Sequence, residues 1–253
     1  IRRAPTPRDR AIAEGEIIVD RYNCGGCHAI DGDGIDIDGD RRVDGGAIAR
    51  LFVGTPNAHR APPKLSADGA KVLPAWLFGF LRSPFPLRKN FEIRMPSFDF
   101  SEKEANDLVA YFSAKADAPY PFVAEARTEL AEADVAVAER LFSEAQCLGC
   151  HAPSAAIGDA RNIAPSLSLA RERLRSDWIL EWLRDPQAKE PGSSMPSFFT
   201  PVEGAPGTWE TPLVDLAGGD AMRQIELLRA YVLGLGAGPN ARAGAPSKAV
   251  RGR

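Results

Sequence analysis

All four cysteines of this 253-residue chain fall in two copies of one five-residue word, Cys24-Gly25-Gly26-Cys27-His28 and Cys147-Leu148-Gly149-Cys150-His151. No thiol is left for any other purpose. Other words repeat behind the first. RMPSF at 94–98 returns as SMPSF at 194–198, and PAWLFGFLRSP at 74–84 returns as SDWILEWLRDP at 176–186. Trp76 and Trp178 lie 102 positions apart, as do Pro84 and Pro186, and Pro63 and Pro165 in the words PPKL and APSL. The cysteine words are offset by 123, the methionines by 100, and Tyr111 and Tyr231 by 120. The first copy therefore carries about 21 extra residues after its cysteine word, and the second about 20 after Met195. Repeats of this length are duplicated domains rather than solenoid units.

Helical patterns, AIAEGEIIVDRY and DVAVAERLFSEA, precede each cysteine word, and no sustained alternating strand pattern appears. The expected fold is all-α, with two domains at residues 1–118 and 119–238 and an extended basic tail at 239–253. The 21 prolines and 23 glycines predict long irregular connections. A net charge of −3 argues against a nucleic-acid partner. No apolar run approaches the roughly 20 residues of a transmembrane helix. The chain begins at Ile1 without a signal-like segment, so a targeting segment is expected to have been removed.

A zinc ribbon places its two C-x-x-C pairs about 15–20 residues apart. Here Cys27 and Cys147 are 120 apart, and each pair has its own histidine. A redox C-x-x-C needs a βαβ setting, which the helical flanks do not provide. C-x-x-C-H is the signature of covalent haem attachment, in which both thiols add to vinyl groups and the histidine binds the iron. This reading gives two haem c groups, held by Cys24, Cys27 and His28 and by Cys147, Cys150 and His151. The sixth ligand of an electron-carrying haem is commonly a methionine thioether, which favours Fe(II). Met95 and Met195, each followed by a proline that keeps a helix from running through the position, are the candidates. Met222 sits in the helical run DAMRQIELLRAYVLGL and is expected to pack.

With these words in place, residues 8–237 resemble a tandem dihaem class I c-type cytochrome. The segment WLRDPQAKEPGSSMP of the second copy resembles the cytochrome c domain fused to subunit II of haem–copper oxidases. The resemblance implies that the Pro63 and Pro165 carbonyls accept from the His28 and His151 rings. It implies helix crossings of Gly15 and Val19 at Tyr111, and of Ala138 and Phe142 at Tyr231. It makes Trp76 and Trp178 wall residues of the haem sites and donors to a propionate. Arg82 and Arg184 are either propionate partners or solvated helix-end cations. The implied function is one-electron transfer without substrate chemistry, in the periplasm or on the outer membrane face, because thioethers form after export. Its expected partners are other subunits of a membrane respiratory or photosynthetic complex, against which the basic tails would lie. The alternative is a soluble periplasmic dihaem shuttle. A dihaem peroxidase needs an open sixth position, and the two Met-Pro words speak against it.

Two features depart from the family pattern. DGDGIDIDGDRRVDGG at 31–46 interleaves six aspartates with glycine, a stretch that either holds Ca²⁺ or is a solvated acidic loop. The glycine and glutamate that an EF-hand loop requires are out of register. His59, the third histidine, is read as a surface residue, with replacement of Met95 as its alternative role.

Overall fold

Thr6 starts the first helix, α1 (Pro7–Arg21), with a reciprocal cap. Its hydroxyl accepts from the Asp9 amide while the Asp9 carboxylate accepts from the Thr6 amide. Pro7 occupies the first helical position, where no N–H is needed. The computed structural model describes residues 4–30, 35–36, 42–43, 48, 51, 61–65, 67–87, 93–120, 130–151, 164–190 and 193–235. In the first half α1 is followed by α2 (Asp68–Lys71), α3 (Pro74–Arg82) and α4 (Glu102–Lys115), the last capped by Ser101 and Glu104 in the same reciprocal way. The second half holds α5 (Glu132–Glu144), α6 (Ala170–Arg173), α7 (Ser176–Arg184), α8 (Pro186–Lys189) and α9 (Ala221–Gly234). Strand among the described residues is confined to two hairpins. β1 (Ile35–Asp36) pairs with β2 (Arg42–Val43), and β3 (Thr200–Pro201) with β4 (Trp209–Glu210). The described chain is thus predominantly helical, and none of its helices is long and apolar enough to cross a membrane.

Each half buries its own core. Ile18, Val19, Leu77, Leu81, Leu108 and Tyr111 lie in the first, and Leu141, Phe142, Ile179, Phe199, Ile225 and Leu228 in the second. Burying a side chain of this kind contributes about 1.5–3 kcal/mol. An exposed pair such as Arg140–Glu144 contributes about 0.2–1 kcal/mol, so the cores and not the surface ion pairs hold the halves. In the first half α1 crosses α4 at Gly15, where an added Cβ would lie 2.2 Å from the Tyr111 Cβ. Only glycine permits that approach. In the second half the matching position is Ala138, fully buried, and Phe142 tilts against Tyr231 with ring centroids 5.1 Å apart. Arg21 and the Tyr22 hydroxyl both donate to Glu104 Oε1, at 3.1 and 3.0 Å, tying the end of α1 to the start of α4.

The extra residues of the second half form the β3–β4 hairpin and a loop fastened to α9 through Gln224. That residue is fully buried. Its Nε2 donates to the Leu213 and Leu216 carbonyls, both at 2.8 Å, and its Oε1 accepts from the Thr211 hydroxyl at 2.6 Å. Met222 packs against the second core.

The halves meet through repeat-related residues. Val72 pairs antiparallel with Leu174. The Leu73 amide donates to the Arg173 carbonyl at 2.8 Å, and the Arg175 amide to the Lys71 carbonyl at 2.9 Å. The Arg175 side chain adds bonds to the Gly69 and Pro119 carbonyls, at 2.9 and 3.2 Å. Lys71 Nζ lies 5.0 Å from the centre of the Trp178 ring, and Arg173 Cζ lies 5.2 Å from that of Trp76. The contact is close to two-fold symmetric.

Candidate cofactor sites

Both cysteine words fold into the same turn. Residues 24–26 and 147–149 each form one turn of 3₁₀ helix, entered through a left-handed residue, Asn23 at φ 52° and Gln146 at φ 54°. The amides of His28 and His151 close the turn by donating to the Cys24 and Cys147 carbonyls, both at 2.9 Å. A Cβ at Gly26 would lie 2.7 Å from Asn23 Nδ2, so the Asn23 side chain would have to turn aside, whereas Gly149 in the second turn has open space.

The turns aim both imidazoles the same way. His28 Nδ1 lies 2.8 Å from the Pro63 carbonyl, and His151 Nδ1 lies 2.8 Å from the Pro165 carbonyl. A carbonyl only accepts, so Nδ1 carries the proton in each ring. Burial pushes both imidazoles below their ordinary pKa, against a smaller upward pull from the proline carbonyl. Each ring is therefore neutral near pH 7, with its Nε2 lone pair available to a metal.

The four cysteines are free thiols. Burial pushes Cys147 up to about 11 and raises Cys24 as well. A zinc-binding or redox-active pair needs the thiolate, which a depressed pKa favours. Cys24 and Cys147 are shifted the other way. Among the described residues no cluster of three or more His, Cys, Asp or Glu side chains could hold a metal ion by itself.

In the first half Cys24, Cys27, His28, Pro63, Trp76 and Met95 line one largely apolar cavity of about 410 Å³. Its volume falls in the roughly 300–1,000 Å³ range of cofactor pockets. A neutral imidazole and a soft thioether thus face the same space. Trp76 stacks on Phe80 in its wall, with centroids 4.9 Å apart. In the second half Trp178 stacks on Trp182 with the same 4.9 Å spacing, and Cys147 and Trp178 pack against the second core. The Trp182 indole N–H donates to the Met195 sulfur at 2.8 Å. Position 182 matches Phe80 in the repeat, so the first half has a hydrocarbon ring where the second has a donor.

Arg82 does not line the first cavity. Arg82 pairs with Glu102 at 3.0 Å, and the Arg184 guanidinium lies over Trp209 at 5.7 Å. The cations that do line the first cavity are Lys71, Arg94 and Arg173, against one carboxylate, Asp68. Sequence reasoning missed Arg173, which belongs to the other half. The offset of 102 that it shares with Lys71 was the available signal. The side chains of the aspartate-rich stretch 31–46, His59 and the tail 239–253 lie outside the described residues, so the expectations placed on them are not addressed.

Comparison of the chain with known proteins finds no matching family model, no similar curated protein and no similar solved structure.

Proposed function

We propose that the chain carries two covalently attached haems and passes single electrons through them. The observation that carries this reading is the matched pair of Nδ1–H···O=C bonds, 2.8 Å in each half, behind two identically folded C-x-x-C-H turns. A free surface histidine has no reason to be held this way twice. The fit to haem rests on three further features of the first half. Burial raises the Cys24 thiol, which favours the S–H form that adds across a vinyl group. The cavity is apolar and large enough for a cofactor. His28 and Met95, which both line it, are donors of the type that would keep an iron low-spin and favour its reduced state.

Each haem, once bound, supplies an iron that gains and loses one electron. The chain's residues do the rest. Cys24 with Cys27, and Cys147 with Cys150, would fix the group permanently. Pro63 and Pro165 hold the tautomer and plane of His28 and His151 and raise their donor strength. Met95 and Met195 would occupy the remaining axial positions, leaving no open one for substrate. Apolar walls built on Trp76 and Trp178 exclude water and so limit the reorganisation that accompanies electron transfer.

As to setting, the reading is a subunit of a membrane-bound respiratory or photosynthetic electron-transfer complex on the periplasmic side. Composition supports it weakly: the 239–253 tail has four basic residues and no acidic one. Such a segment orders only against a partner, since ordering costs about 1–2 kcal/mol per residue.

The test is expression with a haem-attachment system. Two haems per chain by pyridine haemochrome and intact mass, with the far-red ferric band of methionine ligation, is the expected result. Chain without attached haem, or one high-spin centre, would overturn the reading. Co-purification from native membranes, with and without residues 240–253, separates the complex subunit from the soluble shuttle.

A further inference from the structure

The second half contributes a side chain to the first cavity. Arg173 ends α6, and its guanidinium lies over Trp76 and lines the cavity that holds His28 and Met95. Its Nε is buried and has no hydrogen-bond partner. Leaving a buried donor unpaired costs about 1–3 kcal/mol, more for a charged group. Asp68 attracts it, but no hydrogen bond joins the two among the described residues. Asp68 therefore leaves Nε unsatisfied. Among the described residues Lys71, Arg94 and Asp68 also line the cavity. A buried guanidinium nitrogen left without an acceptor beside an apolar cavity suits a group that brings its own negative charge, and a haem brings two carboxylates.

We propose that Arg173 is a positioning residue supplied by the second half to the first site, where its guanidinium receives a carboxylate of the bound haem. This rests on the haem reading above. The physical consequence is a potential set from across the junction. A cation fixed beside the site stabilises the state with one more electron, and in a buried setting salt does little to screen it. Removing it lowers the first site's potential and leaves the second unchanged. Arg suits the task better than Lys, because its planar fork meets a carboxylate with two parallel bonds. The twin cation, Lys71, lies over Trp178 but lines the first cavity too, so the exchange between halves is unequal.

The experiment is an optical redox titration of the full haem-loaded chain as wild type, Arg173→Gln, Arg173→Lys and Arg175→Met. Haem-specific NMR methyl signals assign the two steps. Arg175 holds the same junction through Gly69 and Pro119 but does not line the cavity. Its variant reports what loosening alone does. Arg173→Gln is expected to lower the reduced-to-oxidised ratio of the first site about tenfold at fixed ambient potential, or 59 mV for one electron. Arg173→Lys should recover at least half of that, and Arg175→Met should leave the ratio within about twofold. If Arg173→Gln fails to accumulate, a normal first-site potential in Arg173→Lys together with a shifted one in Arg175→Met would overturn the proposal. Equal shifts in Arg173→Gln and Arg175→Met would do the same. So would no shift in a protein with two haems, which leaves the haem reading standing. A wild-type potential that moves with added phosphate would make a free anion, not a haem carboxylate, the partner of Arg173, and the proposal would fall. Absence of haem fails the underlying reading instead.

Discussion

Replacing Gly15 with alanine pits two effects of opposite sign against each other. In the interior of a helix alanine is favoured over glycine by about 1 kcal/mol, so α1 alone would be stabilised. The crossing with α4 says otherwise. The new Cβ would lie 2.2, 2.4 and 2.6 Å from Tyr111 Cβ, Cγ and Cδ2. Carbon atoms rest at about 3.5–4.0 Å, so each contact is short by roughly an ångström or more. Tyr111 cannot step aside, being 2% exposed in the middle of the first core. Relief requires α4 to withdraw along the crossing, which strains the ties from Arg21 and Tyr22 to Glu104. Overpacking of this order costs about 1–3 kcal/mol or somewhat more. Taking about 3 kcal/mol and subtracting the propensity gain leaves a net loss of about 2 kcal/mol. Urea unfolding measures the total, with the slope checked for constancy. Peptide-level hydrogen exchange over residues 7–21 localises it to the α1–α4 contact. A variant as stable as the parent, or stabilised by the propensity gain alone, would show that α1 does not cross α4 at Gly15.

On the haem reading, Trp182→Phe removes the N–H that meets Met195, and with it a withdrawal of charge from the sulfur that would favour Fe(II). About 0.5 kcal/mol of differential stabilisation, roughly a twofold fall in the reduced fraction of the second site, is expected; a rise would refute the sign. Met95→His and Met195→His should each keep a low-spin optical spectrum while lowering one potential and sparing the other; two unmoved potentials would remove both residues from the ligand set. Burial raises the Asp68 carboxyl against the pull of Lys71 and Arg173, so what it adds to stability is present below about pH 4 and lost as pH rises through its folded value. Asp68→Asn should therefore gain on the parent between pH 4 and 7 in thermal melts; a gap that stays constant or narrows contradicts this. Gln224→Leu strands the Thr211 hydroxyl and two carbonyls and should cost about 2–4 kcal/mol by urea unfolding, with a loss below 1 kcal/mol arguing that the loop is not anchored there.

What the sequence disclosed was mostly local. The turn from Cys24 to His28 closes on bonds within five residues, so the same word at Cys147 folds alike whatever surrounds it. The Pro63 and Pro165 contacts were legible only through the family resemblance, since 35 and 14 residues separate them from their histidines. The Gly15 approach was legible the same way, as a small residue before a helical valine. Side chains that act across the junction were not. Lys71 and Arg173 read as ordinary helix-end cations, and nothing local says that each faces a tryptophan of the other copy. Arg82 and Arg184 looked better placed, but Glu102 and Trp209 take them up from segments distant in sequence. The Trp182 bond is not local either, since its indole N–H finds its partner 13 residues on, across a loop. Gln224 was hidden in an apolar helix face, and its task became visible only with the inserted loop lying over it.

The pairing of Val72 with Leu174 uses the same patch on both copies. Self-complementary contact of that kind is how two-fold homodimers are built. Here one chain holds both partners, so their association is intramolecular, at the millimolar effective concentration that short tethers provide. Among the described residues the patch is small: one bridged residue pair, two flanking amide bonds, the Arg175 side-chain bonds and two cation–ring contacts. Joined end to end, the copies need no more than that, and each was left free to change on its own: one gained an acidic segment after its cysteines, the other a hairpin after its methionine.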